Sequence, residues 1–452
     1  MTTKKIILCA FSIILCCHIF AQTNLELIDY YEAVKAISAT DCFLSDTPVI
    51  AIIDNGVNLQ HNDLVDNIWY NKAEIPDNGI DDDGNGLIDD INGWNFRNNT
   101  NDVSIEGSGN WHGTPVNGII GAVHNNIGID GICPVVRLLN IVKGESIESI
   151  IKSLQYIYNM RDMYNRTNGE FGAYIVAVNC SWGKDSLFAC DYPEWCLMYE
   201  KLGSLGVLCV NSVPNDNIDV DVYGDMPTTC QSDYIITVTN SNLSGDKISD
   251  SAYGYKSVDM ATPGNNTYTT LNNGGYGYFG GTSASAPYVS GAIGLLYLLP
   301  IDEFQNDIVE KPEETALLVK SAIMNGVNVT PQLNGITVSG GHLNIFNSIK
   351  NICDYYNACY IYNNLFKSLE LASLYPNPAS SLTNLKLECN NITDVTINVK
   401  DFFGNTRKTI AITINDGVTV IPIDLYGLHN GIFYICIESS STIIIEKILI
   451  NQ

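Results

Sequence analysis

The stretch PVIAIIDNGV, residues 48–57, is a continuous apolar run that ends in an acidic residue and an Asn-Gly turn. Such a run is typical of a strand in a parallel sheet whose two faces are covered by helices. Four further runs of this character are VVRLLNIV (135–142), AYIVAVNC (173–180), GVLCV (206–210) and YIITVT (234–239). We therefore predict a mostly parallel sheet to which residues 48–54 contribute the first strand.

Helix-like segments lie between and after these runs. They are predicted after His112, across 145–158, around 194–202, after Ser283 and across 313–325. Strands that alternate with helices predict an α/β domain of three layers, here spanning residues 48–350. In such sheets ligands bind beyond the carboxyl ends of the strands, so we expect the functional site there.

The composition describes a folded, acidic protein. The 452 residues are 46% hydrophobic, and 49 acidic residues against 23 basic ones give a net charge of −26. A protein that binds nucleic acid or an anionic membrane surface needs a basic face, so we expect neither partner.

The beginning of the chain predicts export. Lys4 and Lys5 precede an apolar run over 6–20, and Ala21 offers a small residue for cleavage. This pattern predicts a signal peptide over 1–21, followed by a short N-terminal segment over 22–47. The run is short for a membrane anchor, which is the alternative, and no later stretch is long enough to predict a stable membrane span.

The end of the chain, residues 374–452, is different in character. Short runs rich in Ile, Val and Thr are separated by Asn, Asp and Gly turns, which predicts a small all-β sandwich after a linker over 351–373. Its opening YPNPA, the D-x-x-G at 401–404, the L-x-x-G at 428–431 and a last strand with Lys447 resemble the C-terminal sorting domain of type IX secretion cargo. The resemblance implies the type IX secretion machinery as a partner, then release or surface attachment. An accessory or carbohydrate-binding sandwich is the alternative.

The cysteines do not define a disulfide pattern. Three of the 14 lie in the predicted signal, and the odd number that remains leaves at least one thiol without an internal partner. Cys190 with Cys196, and Cys353 with Cys359, would close short loops and are candidate pairs.

Three separated residues carry groups that could act together in catalysis. Asp54 ends the first predicted strand, His112 opens HGTPVNGIIGA, and Ser283 lies in GGTSASAPYVSGAIGLL. Taken alone, each has an ordinary explanation as a turn residue, a structural histidine or a helix cap. Together they could form a nucleophilic site, in which the imidazole takes the serine proton and the carboxylate orients the imidazole.

The motifs DNGV (54–57), HGT (112–114) and GTSASAP (281–287) resemble those of the subtilisin-like serine proteases, the subtilases, in the family's Asp, His, Ser order. The resemblance implies a secreted serine endopeptidase that cuts proteins or peptides through an acyl-enzyme. Asp54 would orient His112, His112 would be the general base, and Ser283 the nucleophile.

The same resemblance assigns further residues of the site. Asn215, in GVLCVNSVPND, takes the place of the oxyanion-hole asparagine, with Asn179 as the competing candidate. Ser181, Trp182 and Gly183 would edge the specificity pocket.

Two departures from the family pattern keep other functions open. Pro214 stands where Gly usually precedes the oxyanion asparagine, and residues 22–47 are too few for the usual prodomain. One alternative is a catalytically silent surface protein that binds a partner or glycan, and another is a processing enzyme with one narrow peptide substrate.

The acidic insertion DNGIDDDGNGLIDDINGWNF, residues 77–96, predicts a structural calcium site. The expected ligands are Asp81, Asp83, Asn85, Leu87 through its carbonyl, and Asp89. Their spacing, with Gly86 at the turn, follows the first nine positions of an EF-hand-type loop, although Asn92 replaces the final Glu. A similar insertion is familiar in secreted subtilases that carry sorting tails. A solvated acidic loop is the alternative, and zinc is not expected because no His or Cys cluster has ligand spacing.

Overall fold

A computed structural model of the protein describes residues 24–31, 33–34, 46–104, 111–125, 127–358, 370–389, 393–401, 405–415, 417–439 and 443–451. These residues form two compact units, which meet in the sequence after Ala358. The predicted signal, 1–21, and residues 359–369 of the predicted linker, with Cys359 among them, lie outside the described residues. Within the described ranges, no helix combines the length and apolar character needed to cross a membrane.

The first unit is built on one large sheet. Its strands, in chain order, are β1 Val49–Asp54, β2 Gly93–Asn95, β3 Arg137–Val142, β4 Ile175–Cys180, β5 Lys184–Asp185, β6 Leu208–Ser212, β7 Asp225–Met226, β8 Ile235–Ser241, β9 Met260–Pro263, β10 Thr267–Thr270, β11 Tyr276–Phe279, β12 Asn328–Val329 and β13 Gly341–His342. The sheet order is β12-β13-β9-β8-β6-β4-β1-β3-β2. All neighbours run parallel except β12 and β13, while β5–β7 and β10–β11 form two small antiparallel pairs.

Helices alternate with these strands. They span Gly113–Gly121, Ile147–Thr167, Pro193–Ser204, Val220–Tyr223, Thr282–Leu296, Asp302–Glu310, Pro312–Gly326 and Ile345–Tyr355, with 3₁₀ turns at Val65–Asn67 and Ala189–Asp191. Local chemistry explains several of their ends. The Ser146 hydroxyl accepts a hydrogen bond from the Ser149 N–H and so begins the second helix, which ends where Asn168 adopts a left-handed conformation.

The strands predicted from apolar runs are buried as expected. Every residue of β1 and β4 is buried, which explains why their sequences show no alternation between apolar and polar residues. The predicted α/β architecture with a mostly parallel sheet is therefore confirmed.

The helix Thr282–Leu296 lies entirely in the interior. All of its residues are buried, including Ser283 and Pro287. Its small residues allow close packing on the sheet, so that Gly294 lies against Ile50 of β1. This burial fixes the first turn of the helix at the edge of the sheet where β1, β4 and β6 end.

The described part of the N-terminal segment is integrated into the first unit. Ile28 is fully buried and Tyr30 nearly so. The Ile28 carbonyl accepts a hydrogen bond from the Ile345 N–H at 2.9 Å. The side-chain amide of Asn24 donates to the Tyr288 hydroxyl at 3.3 Å. Residues 24–31 and 33–34 therefore complete the core of this unit.

The second unit is an antiparallel sandwich. Its strands are β14 Glu370–Tyr375, β15 Leu382–Cys389, β16 Thr393–Asp401, β17 Thr406–Ile414, β18 Gly417–Asp424, β19 Gly431–Glu438 and β20 Ile443–Ile450. They form one sheet of order β14-β15-β18 and another of order β17-β16-β19-β20. Leu385 and Ile423 from the first sheet pack with Ile397 and Phe433 from the second in one apolar core. The predicted small all-β sandwich is confirmed.

The disulfide found in the structure differs from the short-range candidate. Cys196 is bonded to Cys230, and Cys190 is an exposed free thiol, so the pairing of Cys190 with Cys196 is wrong. Cys196 lies in the helix Pro193–Ser204, which turns it toward a residue 34 positions away. The pairing of Cys353 with Cys359 stays a prediction, because Cys359 lies outside the described residues.

We expect the Ile28→Ala substitution to lower the free energy of unfolding of the first unit by about 2–5 kcal/mol, since it removes a fully buried side chain. Glu26→Ala is the control, because Glu26 is exposed and lies only two residues before Ile28. This substitution should change the free energy of unfolding little. Tryptophan fluorescence during urea unfolding measures this unit selectively, because all 5 tryptophans lie in it. Equal stability of both variants would contradict a core role for the segment.

Candidate active site

The three residues of the predicted triad lie at the ends of core elements. Asp54 is the last residue of β1, and His112 directly precedes the helix Gly113–Gly121. Ser283 is the second residue of the helix Thr282–Leu296. The carboxyl ends of parallel strands meet at one edge of a sheet, which is where this fold class places its ligands.

Asp54 and His112 form a close, shielded pair. The Nδ1 of His112 lies 2.9 Å from each carboxylate oxygen of Asp54. The Asn55 N–H donates to Asp54 Oδ1 at 2.7 Å and helps to fix the carboxylate. Only 5% of the Asp54 side chain is exposed, against 22% for His112, so the carboxylate is covered while the imidazole keeps an accessible edge.

The electrostatic surroundings favour the protonated form of His112. Burial lowers the pKa of the imidazole, but the charge of Asp54 and its hydrogen bond raise it more, so the pKa lies above its ordinary value. The positive charge of Lys143 acts against this rise. An imidazole stabilised in this way can accept a proton and hold it during a reaction.

Ser283 is held by reciprocal contacts with Ser181. Its hydroxyl donates to the Ser181 carbonyl at 3.1 Å, and the Ser181 hydroxyl donates to the Ser283 carbonyl at 2.9 Å. Within the described residues, the structure shows no hydrogen bond between Ser283 and His112. The ring of Phe279, which ends β11 just before Ser283, meets the His112 ring edge-on with 5.2 Å between centroids. This contact brings the segment that leads into Ser283 beside the imidazole.

Asn215 lies beside the first turn of the serine helix. Its Oδ1 accepts hydrogen bonds from the Thr282 N–H at 2.9 Å and the Thr282 hydroxyl at 3.2 Å. Gly281 has a positive φ of 85°, and a side chain there would meet Asn215 Oδ1 at 2.6 Å. Because the oxygen is occupied and the residue is exposed, the Nδ2 amide is free to donate outward.

The competing candidate, Asn179, is a core residue. It is fully buried, its Nδ2 donates to the Ser181 hydroxyl at 2.9 Å, and its Oδ1 accepts from the Ser290 hydroxyl at 2.8 Å. The two ends of its amide are therefore used by two serines of the core, Ser181 and Ser290, whereas Asn215 lies at the surface.

The segment Ser181, Trp182 and Gly183 continues from the end of β4 past the serine. Trp182 donates through Nε1 to the Ile53 carbonyl at 2.6 Å and stacks on Trp195, so most of its ring serves packing. Gly183 is exposed. The segment thus offers Gly183, rather than the indole, to a molecule that approaches from solvent.

The acidic loop uses two of the predicted calcium ligands to close turns. Asp81 accepts hydrogen bonds from the N–H groups of Gly84 and Gly86, both at 2.9 Å. Asp89 accepts from the N–H of Gly79 at 3.0 Å. Each carboxylate has about four acceptor sites, so these bonds leave capacity for a cation. Asn85 Oδ1, another predicted ligand atom, accepts a hydrogen bond from the Leu87 N–H at 2.8 Å.

Three carboxylates converge beside this loop, and only one of them was predicted as a ligand. Ligand oxygens of Glu74, Asp83 and Asp90 lie within 4.8 Å of one another. Burial raises the pKa of Asp90 to about 7, and burial likewise raises the pKa of Asp83, to which the charge of Asp81 adds. Like charges this close repel strongly without a counter-ion, and a hard divalent cation accepts such oxygen ligands.

Sequence reasoning missed Glu74 and Asp90 for different reasons. Asp90 lies inside the acidic stretch, but it falls outside the EF-hand spacing, although its neighbour Asp89 fits it. Glu74 precedes the stretch and reaches the cluster because its carboxylate accepts the N–H groups of Asp82, Asp83 and Asp89. No local pattern signals that contact.

Comparison with known proteins now identifies the family. Residues 45–341 match the model of the subtilase family, and residues 373–451 match the model of the secretion system C-terminal sorting domain. The chain belongs to the subtilase family. The sorting domain indicates export from the cell, to its surface or beyond.

Similar proteins share the first unit. Subtilisin-like protease 1 of Plasmodium berghei is 29% identical over 73% of this chain and 53% of its own length. The chain thus spans about half of that relative. The major intracellular serine protease of Bacillus subtilis is 26% identical over 69% of this chain and 90% of its own. Among solved structures, the A-subunit of the AB5 toxin from E. coli has a TM-score of 0.54 at 19% identity, covering 73% of this chain and 99% of its own. This likeness confirms the predicted subtilisin-like fold.

We expect the Asp54→Asn substitution to lower the pKa of His112 below the ordinary value of about 6.5, because burial would then act without the carboxylate that opposes it. An NMR titration of the full chain measures this shift. His124 serves as an internal control, since it is not in contact with Asp54. A pKa of His112 that does not move would contradict the electrostatic account of the pair.

Proposed function

We propose that the protein is a serine endopeptidase that hydrolyses peptide bonds of proteins or peptides through an acyl-enzyme. The observation that carries the proposal is the 2.9 Å pairing of His112 with Asp54 beside a serine at the first turn of a buried helix. Membership of the subtilase family supports it.

The chemistry follows from these groups. Ser283 Oγ attacks the carbonyl carbon of the scissile bond while His112 Nε2 takes its proton, and a tetrahedral oxyanion forms. The C–N bond then breaks as the imidazolium gives that proton to the leaving amine, which leaves an ester on Ser283. Water attacks the ester by the same route and releases the acid product. Asp54 holds Nδ1 and stabilises the imidazolium throughout.

The oxyanion would be stabilised by the side-chain amide of Asn215 and by the backbone N–H of Ser283. The position of Ser283 at a helix N-terminus supports this role, since backbone N–H groups and the positive end of the helix dipole point there. Loss of one such donor typically costs about 100- to 1000-fold in rate.

The contact between Ser283 and Ser181 favours a second candidate, the catalytically silent binding protein. In this arrangement the hydroxyl donates to the Ser181 carbonyl at 3.1 Å and not to the general base. Catalysis requires the Ser283 hydroxyl to leave the Ser181 carbonyl and turn to His112, and side-chain rotamer changes are rapid. A silent protein would keep the hydroxyl where it is.

Labelling with a fluorophosphonate separates the two candidates, because the reagent reacts only with a serine activated by its base. We expect the purified full chain, with calcium present, to form a stoichiometric adduct on Ser283. Ser283→Ala should form none, and His112→Ala should react at a small fraction of the wild-type rate. Absence of a Ser283-dependent adduct would favour the silent protein and defeat the protease.

For the route of export, we propose a cleavable signal peptide over 1–21 and recognition of the C-terminal sandwich by the type IX secretion machinery. The match of residues 373–451 to a secretion-system sorting domain supports the second step. The acidic charge of −26 makes nucleic acid an unsuitable partner.

We also propose that the acidic loop holds a structural calcium ion. The predicted ligands Asp81, Asp83, Asn85, the Leu87 carbonyl and Asp89 retain free acceptor capacity, and the convergence of Glu74 and Asp90 on Asp83 adds negative charge at the same place. Bound calcium would neutralise these charges and join the two ends of the loop, without taking part in peptide hydrolysis.

Chelation tests this site. EGTA should lower the melting temperature of the full chain by several degrees, since an ion that binds only the folded state stabilises it. Asp83→Asn should remove the response to EGTA, whereas Asp102→Asn, an exposed residue after the loop, should keep it. An unchanged melting temperature of the wild type in EGTA would contradict a structural calcium.

A further inference from the structure

The carboxylate of Asp225 is buried without a charge partner. Asp225 begins β7 and has no exposed surface. Its Oδ2 accepts a hydrogen bond from the Thr228 hydroxyl, while its Oδ1 has no hydrogen-bond partner among the described residues. A buried carboxylate without a partner costs free energy, and such groups call for an explanation.

Oδ1 faces the exposed Gly183. A side chain at position 183 would have its Cβ only 2.8 Å from Asp225 Oδ1 and 3.3 Å from Oδ2. The Met226 carbonyl oxygen lies 3.2 Å from the same point, and the exposed glycine adds no side chain over the carboxylate. Any larger residue at 183 would cover or displace the carboxylate.

The surroundings of this carboxylate are negative. In the pairing of β5 with β7, Asp185 lies opposite Asp225, so both side chains share one face of the ribbon with Gly183. Lys184 lies between Gly183 and Asp185 in the chain, so its side chain belongs to the other face of the ribbon. Burial raises the pKa of Asp225 to about 7, the Thr228 hydrogen bond opposes the rise, and Asp185 adds to it. No cation of the described chain supplies the missing positive charge.

The distance to the nucleophile suits a side chain of the substrate. Ser283 contacts Ser181, and Gly183 is two residues further along the chain, which spans at most about 7 Å at roughly 3.3 Å per residue. A Lys or Arg side chain, with its stem of three or four methylene groups, bridges a distance of this order and carries its charge at the tip.

We propose that Asp225 makes the site selective for substrates with Arg or Lys next to the scissile bond, the cationic tip reaching Asp225 Oδ1 past Gly183. The inference rests on the proposed endopeptidase function and names the substrate class of that site. Asp225 acts on specificity alone, because it contacts neither Ser283 nor His112.

Matched peptides that differ only in charge test the preference. Two quenched peptides carry either Arg or its neutral analogue citrulline before the scissile bond. We expect the wild-type full chain to cleave the Arg peptide with a kcat/KM about 10- to 100-fold higher, the range typical of one hydrogen bond to a charged group. Asp225→Asn should remove this ratio by slowing only the Arg peptide.

Asp185→Asn is the control for Asp225→Asn, since it makes the same change of net charge at an exposed neighbour and should keep most of the preference. The rate of fluorophosphonate labelling of Ser283 shows whether Asp225→Asn is folded, because that reaction does not use Asp225. If this variant fails to fold, the proposal is tested instead by inhibiting wild-type cleavage of the Arg peptide with a small cation. Butylguanidinium, which reproduces the Arg side chain together with its Cα carbon, should then inhibit competitively, and n-butanol should not.

The outcomes separate this inference from the proposed function. Equal cleavage of the two peptides by the wild type, retention of the ratio in a folded Asp225→Asn, or absence of inhibition by butylguanidinium overturns the role of Asp225 and leaves the peptidase standing. No cleavage combined with no adduct on Ser283 overturns both.

Discussion

The complete burial of the helix Thr282–Leu296 against the parallel sheet is the constraint on which the rest of the first unit depends. A helix of small apolar residues can lie close to β1, β4 and β6, and its depth fixes where its first turn meets the ends of those strands. The two hydrogen bonds between Ser181 and Ser283 then lock that turn to the end of β4. The position of Ser283 is thus set by packing in the core and by these two hydrogen bonds.

The parts of this structure that could be predicted from sequence are those with a local cause. The apolar runs predicted each central strand to within two residues, because burial on both faces leaves an unbroken signal. The sequence motifs also paired Asp54 with His112, and the two side chains are in contact in the structure. Glu74, the Cys196–Cys230 bond and the unpartnered Asp225 were not predicted, since each depends on a contact that no local sequence pattern signals.

The carboxylates of the first unit show how one chemical group acquires different properties from its neighbours. Asp54 lies beside an imidazole that can share its charge. Asp83 lies among other carboxylates that raise the cost of its charge, and Asp225 lies in the interior with one hydroxyl. The overall excess of acid residues says little about these sites, because partner and burial decide the behaviour of each carboxyl group.

The burial of residues 24–31 and 33–34 brings the core of the first unit close, along the chain, to the predicted signal. Asn24, hydrogen-bonded to Tyr288 inside the unit, lies three residues beyond the predicted signal cleavage point at Ala21. If the chain is cut after Ala21, only residues 22 and 23 would separate the new chain end from Asn24, so the mature chain would begin almost at the core of its first unit.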